Sequence, residues 1–204
     1  MKLFYGEVLN PRKTCAAARY LGLPVDFVRI DVFRGESRTP EFLALNPNGQ
    51  VPVLQDGARL LTESNAIMCY LSDKAGADLW PHDARQIEVL RWLFWDAQHF
   101  SRHAAAFYFQ NIVKPMAGRE PDPAALEEPR GLFRTYAAVL NDHLRGRRYV
   151  VDDRLSVADF ALAATLPYAE KARLPLDGFT EIVRWHEGMN ELPAWRAPFP
   201  GVSS

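Results

Sequence analysis

The change in hydrophobic pattern near residue 80 constrains the fold of this chain more than any other feature. Before it, short segments alternate between strand and helix signals in the order β-α-β-α-β-β-α; after it, apolar residues recur at the helical period of about 3.6 residues. Such alternation favours a mixed sheet with helices on its faces, whereas the later pattern predicts packed helices. We therefore expect two domains, residues 1–78 and residues 85–204, joined by a linker at residues 79–84.

Local signals place the individual elements. Asn10-Pro11 and Thr39-Pro40 each set a capping residue before a proline, and this pairing marks the start of a helix. Asp56-Gly57 suits the tight turn between two strands and predicts a hairpin. The predicted early elements are strands at residues 2–6 and 26–31, helices at residues 11–22 and 40–45, the hairpin at residues 53–61, and a helix from residue 64. The later helices are predicted at residues 85–114, 130–145, 157–169 and 179–191.

Residues 46–67 carry the strongest functional signal. Pro52 cannot donate a ladder hydrogen bond and belongs at a strand edge, so the backbone of Val51 is left open to a short peptide that adds as a strand. Glu63 and Ser64 open an apolar helix whose first N–H groups attract a carboxylate, and the Glu63 carboxylate suits an ammonium group. The segment therefore predicts a site for a free amino-acid head. Alternatively, Ser64 is only a helix cap and Glu63 only a first-turn acid.

Taken with the start of the chain, this segment resembles the glutathione S-transferase family. The matching elements are YGEVLNPR at residues 5–12, the Val51-Pro52 edge and ESNAI at residues 63–67, in the family's order and spacing over nearly the whole chain. The resemblance implies an α/β thioredoxin-like N-terminal domain that binds glutathione, plus an all-α C-terminal domain that lines the pocket for the second substrate. It also implies a homodimer, glutathione as co-substrate and a role in detoxification.

A glutathione transferase must stabilise the thiolate of glutathione, because a thiol with a pKa of about 8.5 is a weak nucleophile. Many family members carry a Ser, Tyr or Cys at the thiol-activating position, where this chain has Asn10. The Asn10 amide can donate a hydrogen bond to the thiolate, or Asn10 is only the cap of the first helix. The glutathione-binding residues that the resemblance implies are Asn10, Arg12, Arg38, Gln50, Val51, Glu63 and Ser64.

The long helix of the second domain offers a stripe for the acceptor. Trp92, Trp95, His99 and Arg102 follow one another at spacings of three, four and three, which predicts one helix face. Such a stripe is common in cores, but the resemblance places part of this helix beside the glutathione sulfur. We therefore expect an acceptor pocket formed by Trp95, His99 and Arg102.

Three functions stay open on the sequence. The first is attack of the glutathione thiolate on a small electrophile, and the second is exchange at a disulfide with glutathione supplying the thiols. The third is an interaction module that keeps the fold without activity. Cys15 and Cys69 lack an adjacent His or a Cys-x-x-Cys partner, so we interpret both as small buried hydrophobes rather than nucleophiles, and we expect Tyr5 in the core.

Composition limits the partners. Lys plus Arg number 24 against 25 Asp plus Glu, a net charge of −1 that gives no overall attraction to nucleic acid or membranes. The chain shows no signal-peptide pattern and no apolar run of about 18 residues, so we expect a cytoplasmic protein without a membrane partner. Among the five histidines only His99 and His103 have a metal-ligand spacing, and this pair lacks a third ligand, so no metal is expected. Ser156 and Asp159 have the spacing of a capping box, for which we expect a role in stability.

Overall fold

The computed structural model describes residues 1–201, and the chain divides into two compact units. The first unit joins Met1–Pro81 to the chain from Glu191 onward, and the second comprises His82–Asn190. The sequence predicts a helical domain over residues 85–204. In the structure the residues from 191 onward belong instead to the first unit.

The first unit is built on a four-stranded mixed sheet with strand order β2-β1-β3-β4. The strands are β1 (Lys2–Tyr5), β2 (Asp26–Arg29), β3 (Val53–Asp56) and β4 (Arg59–Leu61). β1 pairs with β2 in parallel and with β3 antiparallel, and β3 and β4 form the predicted hairpin. Asp56 pairs with Arg59, so the tight turn is Gly57-Ala58, one residue later than predicted.

Helices cover both faces of this sheet, as the alternating sequence predicts. They are α1 (Leu9–Tyr20), α2 (Pro40–Leu45) and α3 (Ser64–Ala75). Successive strand residues point to opposite faces. Leu3 and Leu54 pack with Ile67 of α3 on one face, and Val53 packs with Phe42 of α2 on the other.

Helix α1 begins two residues earlier than predicted. Val8 is the extended residue at its N-cap position and Asn10 is the second helical residue, so the interpretation of Asn10 as the helix cap is wrong. The Asn10-Pro11 signal misplaced the boundary because proline is accepted throughout the first turn, where its missing N–H costs no helix hydrogen bond. By contrast, Thr39 caps α2 as predicted, with its hydroxyl accepting from Phe42 N–H at 3.3 Å.

The second unit is helical in its described elements. Its α-helices are α4 (Arg85–Trp95), α5 (Ser101–Tyr108), α6 (Lys114–Met116), α7 (Glu127–His143), α8 (Val157–Leu162), α9 (Ala169–Ala172) and α10 (Thr180–Asn190). Two π-helical turns, Asp96–Phe100 and Phe109–Val113, join α4, α5 and α6 into one run, and a 3₁₀ segment, Ala163–Tyr168, joins α8 to α9. Between Met1 and Gly201, no helix combines the length and the apolar character that a membrane crossing requires.

Asp159 is the buried centre of the predicted capping box at the start of α8. Its carboxylate accepts hydrogen bonds from Ser156 N–H at 2.9 Å, Ser156 Oγ at 3.0 Å, Val150 N–H at 2.9 Å and Trp185 Nε1 at 3.2 Å. Burial raises the pKa of Asp159 to about 6, against the opposing effect of these donors. The carboxylate therefore joins α8 to α10 and to the segment before it.

The end of the described chain packs on the first unit through two aromatic residues. Trp195, in the short helix α11 (Pro193–Arg196), is fully buried, and Phe199 is stacked on Tyr5 with ring centroids 5.8 Å apart. The Arg12 guanidinium donates to the Trp195 carbonyl at 2.8 Å and lies over its ring. These contacts are the physical reason that residues 191–201 group with the first unit.

Candidate functional site

The loop at residues 46–50 brings two predicted site residues together. Asn46 is buried and holds the loop, because its amide donates to the Gln50 carbonyl at 2.7 Å and accepts from Asn48 N–H at 3.1 Å. Gly49 has φ 61°, and a Cβ there would lie 2.5 Å from Arg38 Nη1. Arg38 itself donates to the Asn48 carbonyl at 3.2 Å. The exposed side chains of Arg38 and Gln50 thus belong to one loop surface.

Val51 follows this loop and joins Pro52 through a cis peptide bond. β3 begins only at Val53, and no hydrogen bond joins the Val51 backbone to any residue among 1–201. The Val51 side chain packs against Phe42 and Val53 in the core. The residue is thus held by its side chain, while its backbone has hydrogen-bonding capacity for an added strand.

The start of α3 has no side-chain cap. Glu63 occupies the N-cap position with φ 65° and ψ 109°, and its side chain caps no helix N–H group. This positive φ is costly for a residue with a side chain. Ser64 is therefore the first helical residue, and interpreting it as the cap is wrong. The α3 N–H groups next to Ser64 carry the positive end of a 12-residue helix and suit an anion.

Asn10 lies beside this helix start. The Ser64 hydroxyl donates to Asn10 Oδ1 across 3.5 Å, a long hydrogen bond between residues 54 positions apart. Asn10 is exposed, and within residues 1–201 no group accepts a hydrogen bond from its Nδ2. The Asn10 amide can therefore donate to a ligand bound at the start of α3.

Arg12 and Lys13 point away from solvent. Arg12 is 8% exposed, and its guanidinium donates to the Trp195 carbonyl. Lys13 is 5% exposed, and its ammonium donates to Asn65 Oδ1 at 2.8 Å. Lys13 and Asn65 were missed in the sequence, although Lys13 stands three residues after Asn10 and hence on the same side of α1. This contact links α1 to the first turn of α3.

Burial raises the pKa values of the two thiols and of the nearby phenol. Cys15 is fully buried, and desolvation raises the pKa of its thiol far above the ordinary value. Desolvation also raises the pKa of the half-buried Cys69 to about 12. Tyr5 is 4% exposed, and burial is the first cause of its raised pKa. The prediction that Tyr5 belongs to the core is confirmed, and neither thiol is poised to ionise near neutral pH.

The predicted acceptor residues meet only in part. The rings of Trp95 and His99 lie 5.9 Å apart, and both contact Tyr136 of α7, at 6.0 and 4.5 Å. The His103 ring also stacks on Tyr136, with ring centroids 5.6 Å apart, whereas the side chain of Arg102 is exposed. His103 takes the place predicted for Arg102 because the π-helical turn after Trp95 shifts the helix face by about one residue. Tyr136 was missed, since no local pattern connects residues 37 positions apart.

No metal-binding cluster is present in the part of the chain that the structure describes. Across residues 1–201, no three or more His, Cys, Asp or Glu side chains gather as ligands.

The sequence matches two family models. One, described as "Glutathione S-transferase, N-terminal domain", matches residues 10–74, and the other, described as "Glutathione S-transferase, C-terminal domain", matches residues 99–193. A curated relative, Glutathione S-transferase 3 of Zea mays, is 33% identical over 201 residues, which cover 94% of this chain and 90% of that protein.

Solved structures of glutathione transferases superpose on this chain over nearly its whole length. A possible glutathione S-transferase from Rhodopseudomonas palustris superposes with a TM-score of 0.84 at 30% identity over 94% of each chain. A glutathione transferase from Phanerochaete chrysosporium, in complex with oxidized glutathione, superposes with a TM-score of 0.84 at 28% identity over 97% of this chain and 93% of its own.

Proposed function

The chain belongs to the glutathione S-transferase family, and we propose that it activates the thiol of glutathione for attack on small electrophilic molecules. The observation that carries this proposal is the uncapped start of α3 beside an amide with free N–H groups. The α3 N–H groups suit the carboxylate of an amino-acid head, and the amide suits a thiolate. The bound oxidized glutathione in the Phanerochaete chrysosporium relative supports this choice of ligand.

We place the γ-glutamyl end of glutathione at the start of α3. Its carboxylate accepts from the Ser64 N–H and from the Ser64 hydroxyl, which turns to it from its long contact with Asn10 Oδ1. Its ammonium faces the exposed Glu63 carboxylate. The cysteinyl backbone pairs with Val51 as an added strand. The glycyl carboxylate meets Arg38 and Gln50, which share one loop surface.

The thiolate accepts a hydrogen bond from Asn10 Nδ2. Each unit by which the pKa of the bound thiol falls requires about 1.4 kcal/mol of preferential interaction with the anion. The start of α1 adds the positive end of its dipole, which no acidic residue in its first turn offsets. Arg12 contributes through its charge, because its side chain is buried and its Nη2 donates to the Trp195 carbonyl.

We assign the binding of the electrophilic substrate to the helical part of the chain, at Trp95, His99 and Arg102. Of these, Trp95 and His99 form an aromatic cluster with Tyr136. Along the sequence we also propose domains of residues 1–78 and 85–204 with a linker at 79–84, where residues 191–201 of the second domain return to pack on the first unit. The family supports a homodimeric, cytoplasmic enzyme of detoxification that uses glutathione as co-substrate and requires no metal ion.

Disulfide exchange is the second candidate, and the oxidized glutathione bound to the Phanerochaete chrysosporium relative favours it. In such an exchange glutathione supplies the reacting thiols. The buried Cys15, with its strongly raised pKa, is a poor nucleophile.

The experiment that tests the function has two stages. Titration calorimetry with glutathione comes first, and absence of binding would favour an interaction module without activity. Parallel assays with an aryl halide and with a glutathione mixed disulfide come second. Turnover of the aryl halide supports the transferase, and turnover of the mixed disulfide alone supports exchange.

A further inference from the structure

Lys13 is a buried cation beside the residues proposed for glutathione, and the proposed chemistry does not use it. The residue is 5% exposed, and its ammonium donates to Asn65 Oδ1 at 2.8 Å. Burying an ammonium costs free energy, and an apolar side chain in the same place would avoid that cost. Packing alone therefore gives no reason for a charge at this position.

Lys13 and Asn65 stand next to two polar residues of the candidate site. Lys13 follows Asn10 by three residues on α1, and Asn65 follows Ser64 as the second residue of α3. The Ser64 hydroxyl donates to Asn10 Oδ1 at 3.5 Å, so both hydrogen bonds join the same two helices. The Lys13 bond is the shorter one and its donor is charged, which makes it the stronger. It therefore holds the start of α3 against α1 more firmly than the Ser64 contact does.

The surroundings of this contact are positive. The N-terminal ends of two 12-residue helices, α1 and α3, meet here, and neither helix has an acidic residue in its first turn. The other charged residues at these helix starts are Arg12, whose guanidinium donates to the Trp195 carbonyl, and the exposed Glu63. A cation near the positive end of a helix is unfavourable in the free protein. A ligand that brings a carboxylate and a thiolate to this place offsets the cost.

We propose that Lys13 is a positioning residue for the reaction of bound glutathione. Through Asn65 it holds the first turn of α3 beside Asn10, where the Ser64 N–H meets the γ-glutamyl carboxylate. Its charge also favours the thiolate over the thiol, because a charge held out of water is weakly screened. The inference rests on the proposed function, to which it adds one buried charge and one contact between helices.

The test compares Lys13→Met with the wild-type chain. Methionine is unbranched and fills a buried space of similar shape, while it removes both the charge and the donor. We expect the pKa of the bound glutathione thiol, read from thiolate absorbance against pH, to rise by about one unit. Turnover below that pKa should fall roughly tenfold. An unchanged thiol pKa in Lys13→Met would overturn the proposal, whatever its melting temperature.

Two further variants separate the charge from the contact. Lys13→Arg keeps the charge and should keep the thiol pKa close to the wild-type value. Asn65→Ala keeps Lys13 but removes its acceptor, so glutathione affinity should fall about three- to tenfold while the thiol pKa moves less than in Lys13→Met. Wild-type affinity in Asn65→Ala would contradict positioning through this contact. A purely structural role would lower the melting temperature of these variants without moving the thiol pKa.

Arg19→Gln is the matched control, because Arg19 is an exposed cation in the last turn of the same helix. It should leave the thiol pKa and the glutathione affinity unchanged, and a rise equal to that in Lys13→Met would count against a local role for Lys13. Failure of the wild-type chain to bind glutathione would overturn the proposed function and this inference with it. Normal binding with an unmoved thiol pKa in Lys13→Met would remove this inference alone.

Discussion

Single residues at the start of α3 test the proposed glutathione contacts most directly. Ser64→Ala removes one hydrogen bond to a carboxylate and should weaken glutathione binding by about 1 kcal/mol. Glu63→Gln removes a charge beside the ammonium while keeping a similar side chain at the same positive φ, and should weaken binding by somewhat more. Titration calorimetry measures both effects.

The matched control for Glu63→Gln is Glu41→Gln, an exposed first-turn acid of α2 that should leave affinity unchanged. If Ser64→Ala and Glu63→Gln both bind as the wild type does, the amino-acid head lies elsewhere.

Asn10 is tested by the ionisation of bound glutathione. Asn10→Ala should raise the pKa of the bound thiol, because the amide favours the thiolate over the thiol. Turnover should fall roughly tenfold for each pKa unit lost if the thiolate fraction limits the rate, whereas glutathione affinity should change little. Thiolate absorbance against pH gives the pKa directly.

Cys15→Ala is the contrasting variant, because Cys15 is fully buried and contributes volume. It should keep most of the turnover. Loss of disulfide exchange in Cys15→Ala together with normal activity in Asn10→Ala would reverse the assignment and indicate a cysteine-dependent oxidoreductase.

At the scale of elements, the start of α8 depends on one buried carboxylate. Asp159→Asn replaces an acceptor of four hydrogen bonds by an amide whose N–H groups face donors, so it should destabilise the protein by roughly 2 to 4 kcal/mol. With about 2–4 °C for each kcal/mol, the melting temperature should fall by roughly 10 °C. Asp142→Asn, an exposed change on α7, is the control.

The same variant has a pH signature. The pKa of Asp159 is raised to about 6, above its ordinary value of 3.8, so the folded protein binds this proton more tightly than the unfolded chain does. The resulting gain in the free energy of unfolding is complete below about pH 4 and is lost as pH rises through about 6. The advantage of wild type over Asp159→Asn should therefore shrink between pH 4 and pH 6. Melting curves at several pH values measure it, and an advantage that grows over this range would contradict the raised pKa.

Local sequence signals predicted elements well where the physics is local. The Thr39 cap, the hairpin of β3 and β4 and the Ser156–Asp159 box each depend on residues a few positions apart. The π-helical turns did not follow from the sequence, because they change the helix period without a distinctive residue. The Asn10–Ser64 contact and the addition of Tyr136 to the aromatic cluster depend on packing between distant segments.

At the scale of the whole molecule, the end of the chain stabilises the first unit. Trp195→Ala removes a fully buried indole and should cost about 3 to 5 kcal/mol. Its effect should be local, since Trp195 packs on Arg12 of α1. Hydrogen exchange should therefore become faster in α1, with little change in α7.

Trp195→Phe serves as the control, because unlike Trp195→Ala it keeps an aromatic ring beside the Arg12 guanidinium. Equal acceleration of exchange in α1 and α7 would show that the last residues stabilise the chain as a whole. The sequence did not predict this packing, because Trp195 and Phe199 carry only a general apolar signal, and their partners Arg12 and Tyr5 stand near the opposite end.

The return of residues 191–201 to the first unit has a consequence for synthesis on the ribosome. Proteins emerge from their N-terminus, and domains generally fold as units during translation. Here the strands and helices of residues 1–81 wait for Trp195 and Phe199, which are synthesised after residues 82–190, whereas the helices of residues 82–190 have the partners of their own unit before then. The unit proposed to bind glutathione thus begins to be synthesised before the helical unit and is completed after it.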